Sequence, residues 1–93
     1  MPSRRSRLDI ILNILTAVKE GVDKPTRIMY ATNLSWKPTQ NILETLTRQG
    51  LLRDIGGEEG KRTKVRYQLT EKGMDVIRYF DKAKDLLALE DIL

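Results

Sequence analysis

The 93-residue sequence predicts a mainly α fold, of α+β type: three helices, a β-hairpin directly behind the third, and a long terminal helix. Three observations carry this. Apolar residues recur at helical spacing in separate stretches of the chain. A tight polar turn at Asn33-Leu34-Ser35 separates a short second helix from the third. A short apolar run and an alternating run then flank a glycine-rich segment, which is the pattern of a hairpin.

Met1 to Ser6 read as a basic arm. Ser6 can cap a helix whose first turn holds Asp9. Leu8, Ile11, Leu12, Leu15 and Val18 give that helix an apolar stripe, and Gly21 stops it, so it spans Arg7 to about Glu20. Thr26 to Thr32 suits a second helix, with Pro25 tolerated in its first turn. Ser35 is placed to cap a third, in which Pro38 sits where a missing N–H costs little. That helix runs to about Gln49 and ends at Gly50. Three helices with a tight turn between the last two match helix-turn-helix architecture. Leu51 to Ile55 makes one strand; Val65, Tyr67 and Leu69, alternating with Lys64, Arg66 and Gln68, make the return strand. The turn-rich stretch from Gly56 to Thr63 is the hairpin tip. Thr70 caps the terminal helix, about Glu71 to Leu93, whose first turn Gly73 slightly weakens. Met74, Ile77, Phe80 and Leu87 lie on its apolar stripe, with Asp and Lys opposite.

Composition narrows the function. There is no cysteine and no histidine, which removes disulfides, a thiol nucleophile, the usual zinc sites and His-based acid–base catalysis. No apolar run approaches the ~20 residues that span a bilayer. The basic N-terminus lacks the apolar stretch and small-residue site of a signal peptide. The expectation is a soluble, cytoplasmic protein that binds no membrane. Residues 1–70 carry a charge balance of +6 and residues 71–93 one of −2, so the first part concentrates a positive field that attracts polyanions.

On the third helix, Lys37, Gln40, Asn41, Glu44 and Arg48 fall on one face, and Thr39, Ile42, Leu43 and Leu46 on the other. Arg and Lys can read guanine edges, Gln and Asn can pair with adenine, and a carboxylate can accept from cytosine. Lys61, Arg62 and Lys64, at the hairpin tip and return strand, can reach the minor groove or phosphates beside a docked helix, although Glu58 and Glu59 oppose such contact. Ser35, Trp36 and Lys37 open the helix, where free N–H groups favour phosphate. Trp36, the single tryptophan, reads first as a partly core residue pinning the turn. Tyr30 either offers its hydroxyl to a phosphate or covers the core with its ring; Arg27, one turn before it, can support it at the backbone. Phe80, Leu86, Leu87, Leu89, Ile92 and Leu93 give the terminal helix more apolar surface than a small domain can cover. Such stripes find a partner, most simply a second copy.

The order helix, helix, turn, helix, hairpin wing, long helix is that of winged-helix DNA-binding domains. Lys24 to Ser35 (KPTRIMYATNLS) resembles a family of small archaeal winged-helix proteins that includes abundant ten-kilodalton DNA-binding proteins. Leu46, Gly50-Leu51-Leu52, Tyr67-Gln68-Leu69-Thr70 and Lys72-Gly73 fit the same family, and the resemblance covers roughly residues 6–80. It implies a recognition helix at about 36–49, a wing at about 56–64 on flanking DNA, and dimerisation through the C-terminal helix as an antiparallel coiled coil. The terminal helix of about 23 residues is short for that family, and the acidic pair in the wing departs from an ideal DNA contact.

The reading is therefore a homodimeric, nucleoid-associated DNA-binding protein, a transcriptional regulator or chromatin protein, with residues 1–70 as the DNA-binding domain and 71–93 as the dimerisation helix. The partner is double-stranded DNA; no metal, cofactor or small-molecule ligand is implied. The alternative is a winged-helix protein-interaction module whose basic surface is incidental. RNA binding ranks below it, since aromatics are only 5% and RNA readers stack bases on them. An enzyme ranks last: Gly56, Gly57 and Gly60 lack the following helix of a phosphate loop, and no nucleophile–base pair can be assembled.

Overall fold

The computed structural model describes residues 6–56 and 65–87. In chain order the elements are α1 (Arg7–Lys19), α2 (Pro25–Thr32), α3 (Trp36–Arg48), β1 (Leu52–Asp54), β2 (Tyr67–Leu69) and α4 (Glu71–Leu87). This is the mainly helical architecture with one hairpin that the sequence predicts. Arg4 and Arg5, the wing residues Glu58, Glu59, Lys61, Arg62 and Lys64, and Leu89, Ile92 and Leu93 lie outside the described residues.

Local chemistry sets the helix ends. Ser6 and Asp9 form a reciprocal capping box: the Asp9 N–H donates to Ser6 Oγ at 3.0 Å, and the Ser6 N–H donates to Asp9 Oδ2 at 3.3 Å. The first three helices end alike. Past α1, Val22 N–H donates to the Ala17 carbonyl; past α2, Leu34 N–H to that of Met29; past α3, Leu51 N–H to that of Leu46. This closing bond needs a left-handed residue. Gly21 (φ 104°) and Gly50 (φ 81°) supply it for α1 and α3, and Asn33 (φ 59°) for α2.

Ser35 occupies the N-cap position of α3 with extended backbone, but its side chain makes no capping bond. Of the second and third helical N–H groups that a capping hydroxyl can use, the third is absent, because that residue is Pro38. The Ser35 carbonyl is used instead, accepting from the Thr39 N–H and from Thr39 Oγ1 at 2.8 Å.

The core joins Ile14, Leu15 and Val18 of α1, Ile28 of α2, Leu43 and Leu46 of α3, Leu51 and Leu52 at the hairpin, and Ile77 of α4. Burying each such side chain stabilises the fold by ~1.5–3 kcal/mol. The stripe of α1 is rotated from the expected one. Leu8 is 44% exposed, whereas Ile14, not on that stripe, is fully buried. Ile10, Ile11, Leu12, Ile14 and Leu15 are nearly continuous, so spacing alone leaves the phase open, and the positions of α2 and α4 decide it.

The strands pair antiparallel, Leu52 opposite Leu69 and Asp54 opposite Tyr67. β2 also ties to the α1–α2 loop: Tyr67 N–H donates to the Asp23 carbonyl at 2.9 Å. Arg66 Nε and Nη2 both donate to Asp23 Oδ2, at 3.0 and 2.6 Å. That guanidinium holds the Asp23 carboxyl below its ordinary pKa.

α3, the hairpin and α4 meet at one joint. Thr70 Oγ1 accepts from the Gly73 N–H at 3.0 Å, which is the expected cap, and donates to the Gly50 carbonyl at 2.7 Å. Lys72 Nζ donates to the Gln49 carbonyl at 2.8 Å. Gly73 does more than weaken a helical turn. It is buried, and a Cβ there would press on the Leu51 carbonyl and lie 2.7 Å from Leu69 Cδ1. Glycine is what lets α4 start against the hairpin.

Candidate nucleic-acid interface

The phase of α3 follows from its sequence. Thr39, Leu43 and Leu46 are buried against the core, and Ile42 is half-buried. The opposite face carries Lys37, Gln40, Asn41, Glu44 and Arg48, all exposed. The structure thus brings the five polar residues onto one open surface. Arg48 Nη2 reaches Thr45 Oγ1 at 3.5 Å, a marginal hydrogen bond within the helix.

α2 adds a second exposed edge. Tyr30 is 77% exposed, so its ring does not cover the core, and Arg27 is exposed one turn before it. At the start of α3, Ser35 and Lys37 are exposed; Trp36 is 43% exposed. Trp36 is therefore a rim residue rather than a core anchor. It lines a groove of about 430 Å³ between α3 and the hairpin, with Gln40 and Glu44 of α3, Asp54 and Tyr67 of the strands, and Lys24 before α2. Burial of Tyr67 in this groove, with the carboxylates of Asp54 and Glu44 nearby, pushes its phenol above the ordinary range.

α4 packs on α1 and β2 through its first half, burying Gly73 and Ile77 and half-burying Met74, Val76 and Phe80. Beyond that it is bare: Leu86 is 75% and Leu87 53% exposed. Leu87 thus leaves the stripe that covers the core. Tyr79, 70% exposed, was not among the expected apolar residues, and its ring meets Phe80 edge-on with centroids 5.3 Å apart. The signal was available: Val76, Tyr79, Ala83 and Leu86 follow the 3–4 spacing of a coiled-coil seam.

Among the described residues no helix is long and apolar enough to cross a membrane, and no cluster of three or more metal-ligating side chains occurs.

Comparison with known proteins agrees with this geometry. The uncharacterized protein MJ0287 of Methanocaldococcus jannaschii is 36% identical over 70 residues, 75% of this chain and 64% of that protein. The chain therefore spans somewhat less than two thirds of this curated relative. In structure the chain is similar to Sso10a-2, a DNA-binding protein from Sulfolobus solfataricus (TM-score 0.68, 24% identity), over 95% of this chain and 93% of that one. It is also similar to Lactococcus lactis ZitR in complex with DNA (TM-score 0.66, 21% identity), over 89% of this chain and 57% of that one. At these identities the two structures speak for the fold alone. Residues 4–88 match the family described as winged helix-turn-helix, and the chain belongs to that family.

Proposed function

We propose that this chain is a non-enzymatic DNA-binding protein of the small archaeal ten-kilodalton type, acting as a homodimer in transcription regulation or chromatin organisation. The observation that carries the reading is α3: one face buries Thr39, Leu43 and Leu46, and the other carries an exposed set of Lys37, Gln40, Asn41, Glu44 and Arg48. A helix so held, with its polar side exposed among the described residues, suits a major groove. Two proteins of similar fold support it, one named as DNA-binding and one solved with DNA.

In this mechanism α3 enters the major groove. Lys37 and Arg48 contact phosphates or guanines, and Gln40 and Asn41 contact adenines. Arg27, Tyr30, Ser35 and Trp36 hold the backbone on one side, and Lys61, Arg62 and Lys64 of the wing reach flanking DNA. Residues 1–70 form the binding unit, and residues 71–93 pair two copies. Tyr79, Leu86 and Leu87 are the exposed apolar residues of α4 that a partner helix would cover, joined by Phe80, Leu89, Ile92 and Leu93. The two recognition helices would then sit one or more duplex turns apart. The protein would act in the cytoplasm, at the nucleoid.

The test is fluorescence anisotropy with random-sequence duplex DNA at several salt concentrations. Log affinity falls linearly and steeply with log salt, and Lys37→Ala and Arg48→Ala each weaken binding. Absence of binding at about 50 mM salt, where backbone-driven binding is strong, would replace this reading with the protein-interaction module.

A further inference from the structure

Glu44 stands at the middle of the exposed α3 face, one turn after Gln40 and one turn before Arg48. A carboxylate at the centre of a surface that must approach phosphates opposes binding. Proteins often neutralise such a group, and here the means is at hand: Glu followed four residues later by Arg is the favourable order for a helical ion pair. The pair is not made. Arg48 makes a marginal contact of 3.5 Å with Thr45 Oγ1 and no ion pair with Glu44. The ion pairs among the described residues are Arg66–Asp23 and Arg78–Asp75, neither of which involves Glu44.

The groove beside it holds a second carboxylate as well as one cation, Lys24. Across the groove stands Asp54, whose Oδ1 accepts the Gly56 N–H at 3.1 Å, and the phenol of Tyr67 lies between the strands and α3. Lys37 lies seven residues before Glu44 and Arg48 four after, about 10 Å and about 6 Å along the helix at ~1.5 Å per residue. A negative centre is thus bracketed by positive ends. That arrangement is poor for coating any duplex, because the charge at the centre is repelled wherever a phosphate falls. It is favourable where the centre meets a hydrogen-bond donor on a base edge.

Two bases present an amino donor in the major groove, cytosine through N4 and adenine through N6. An ionised carboxylate only accepts. Beside the adenine amino group lies N7, an acceptor that repels a carboxylate, whereas cytosine presents no acceptor there. Gln and Asn, which both donate and accept, suit adenine, and Gln40 and Asn41 occupy the preceding turn.

We propose that Glu44 is a specificity-determining residue that accepts a hydrogen bond from a cytosine N4 amino group, making the chain a sequence-selective binder rather than a general DNA coat. The inference rests on the DNA-binding reading above. Glu44 is exposed and makes no hydrogen bond among the described residues, so Glu44→Gln leaves the fold intact.

The experiment selects sites from a randomised duplex pool with the wild-type protein and with Glu44→Gln, then measures anisotropy on the selected site and on its single-base variants. In the wild type one C·G pair per half-site is enriched, and replacing its cytosine weakens binding roughly tenfold, within the range of one good base contact. In Glu44→Gln that replacement changes binding less than about twofold, and random duplex is bound more tightly than by the wild type. Steep, salt-dependent wild-type binding without a cytosine preference overturns the role of Glu44 while sparing DNA binding. So does a cytosine preference that survives in Glu44→Gln. No binding to any duplex by folded wild-type protein overturns both.

Discussion

The two halves of α4 are built on opposite plans. Its first turns are locked: Thr70 caps them, Lys72 holds the last carbonyl region of α3 through Gln49, Gly73 lies against Leu51 and Leu69, and Ile77 is in the core. From its middle onward it exposes Tyr79, Leu86 and Leu87, with Leu86 and Leu87 in its last turn. The near half is thus a fixed mount and the far half an unfilled contact. In the proposed dimer the joint carries consequence, because the carbonyls that Thr70 and Lys72 grip, those of Gly50 and Gln49, directly follow α3. Whatever sets the angle of α4 also sets the angle of the helix proposed to read DNA.

The comparison can be broken most severely at the mount. Gly73→Ala should destabilise the fold by about 2–3 kcal/mol, the upper part of the range for overpacking, despite alanine's better helix propensity. Urea denaturation measures it, and an unchanged midpoint would mean that the contact with Leu51 relaxes freely. At the far half the expectation reverses. Leu86→Asp should leave monomer stability within about 0.5 kcal/mol yet weaken dimerisation by about 4 kcal/mol, since a two-fold dimer loses one leucine from each copy. Sedimentation across a concentration series separates the two effects.

A finer cut at the mount is Thr70→Ala, which removes the cap of α4 and the bond to the Gly50 carbonyl. A loss of about 1–2 kcal/mol is expected; Thr70→Ser, which keeps the hydroxyl, should recover most of it. The smallest effect is at the tie between β2 and the α1–α2 loop. Asp23→Asn should cost at most about 0.5–1 kcal/mol, since the ion pair is partly solvated. Because the folded pKa of Asp23 is lowered, its contribution is present above the unfolded value near 4 and is lost as pH falls through the folded value. The denaturation midpoints of variant and wild type should therefore converge in acid. A difference that persists at pH 2 would show that the carboxylate charge is not what matters there.

Legibility in the sequence followed the range of the interaction. Ser6 with Asp9, Gly21, Asn33, Gly50 and Thr70 act within a few residues of themselves, and each helix end they predict is found. The polar face of α3 was equally plain, because Leu43 and Leu46 fix its phase. What escaped depends on partners far along the chain. Gly73 reads as a weak helical residue until Leu51 is seen against it. Arg66 reads as a hairpin surface residue until Asp23, 43 positions earlier, takes both its nitrogens. Trp36 reads as core because tryptophan usually is, but here the position that opens α3 faces a groove. The contacts proposed for Lys61, Arg62 and Lys64 lie outside the described residues, and their role rests on position and charge alone.

The placement of Trp36 has an optical consequence. It is the chain's single indole, about half open to solvent at the first turn of α3, beside the groove that leads to the hairpin. With excitation selective for the indole over the chain's three tyrosines, emission therefore reports from one residue, on the surface where ligand is proposed to arrive. Its wavelength and its quenching by added iodide follow events at the α3 mouth without any label.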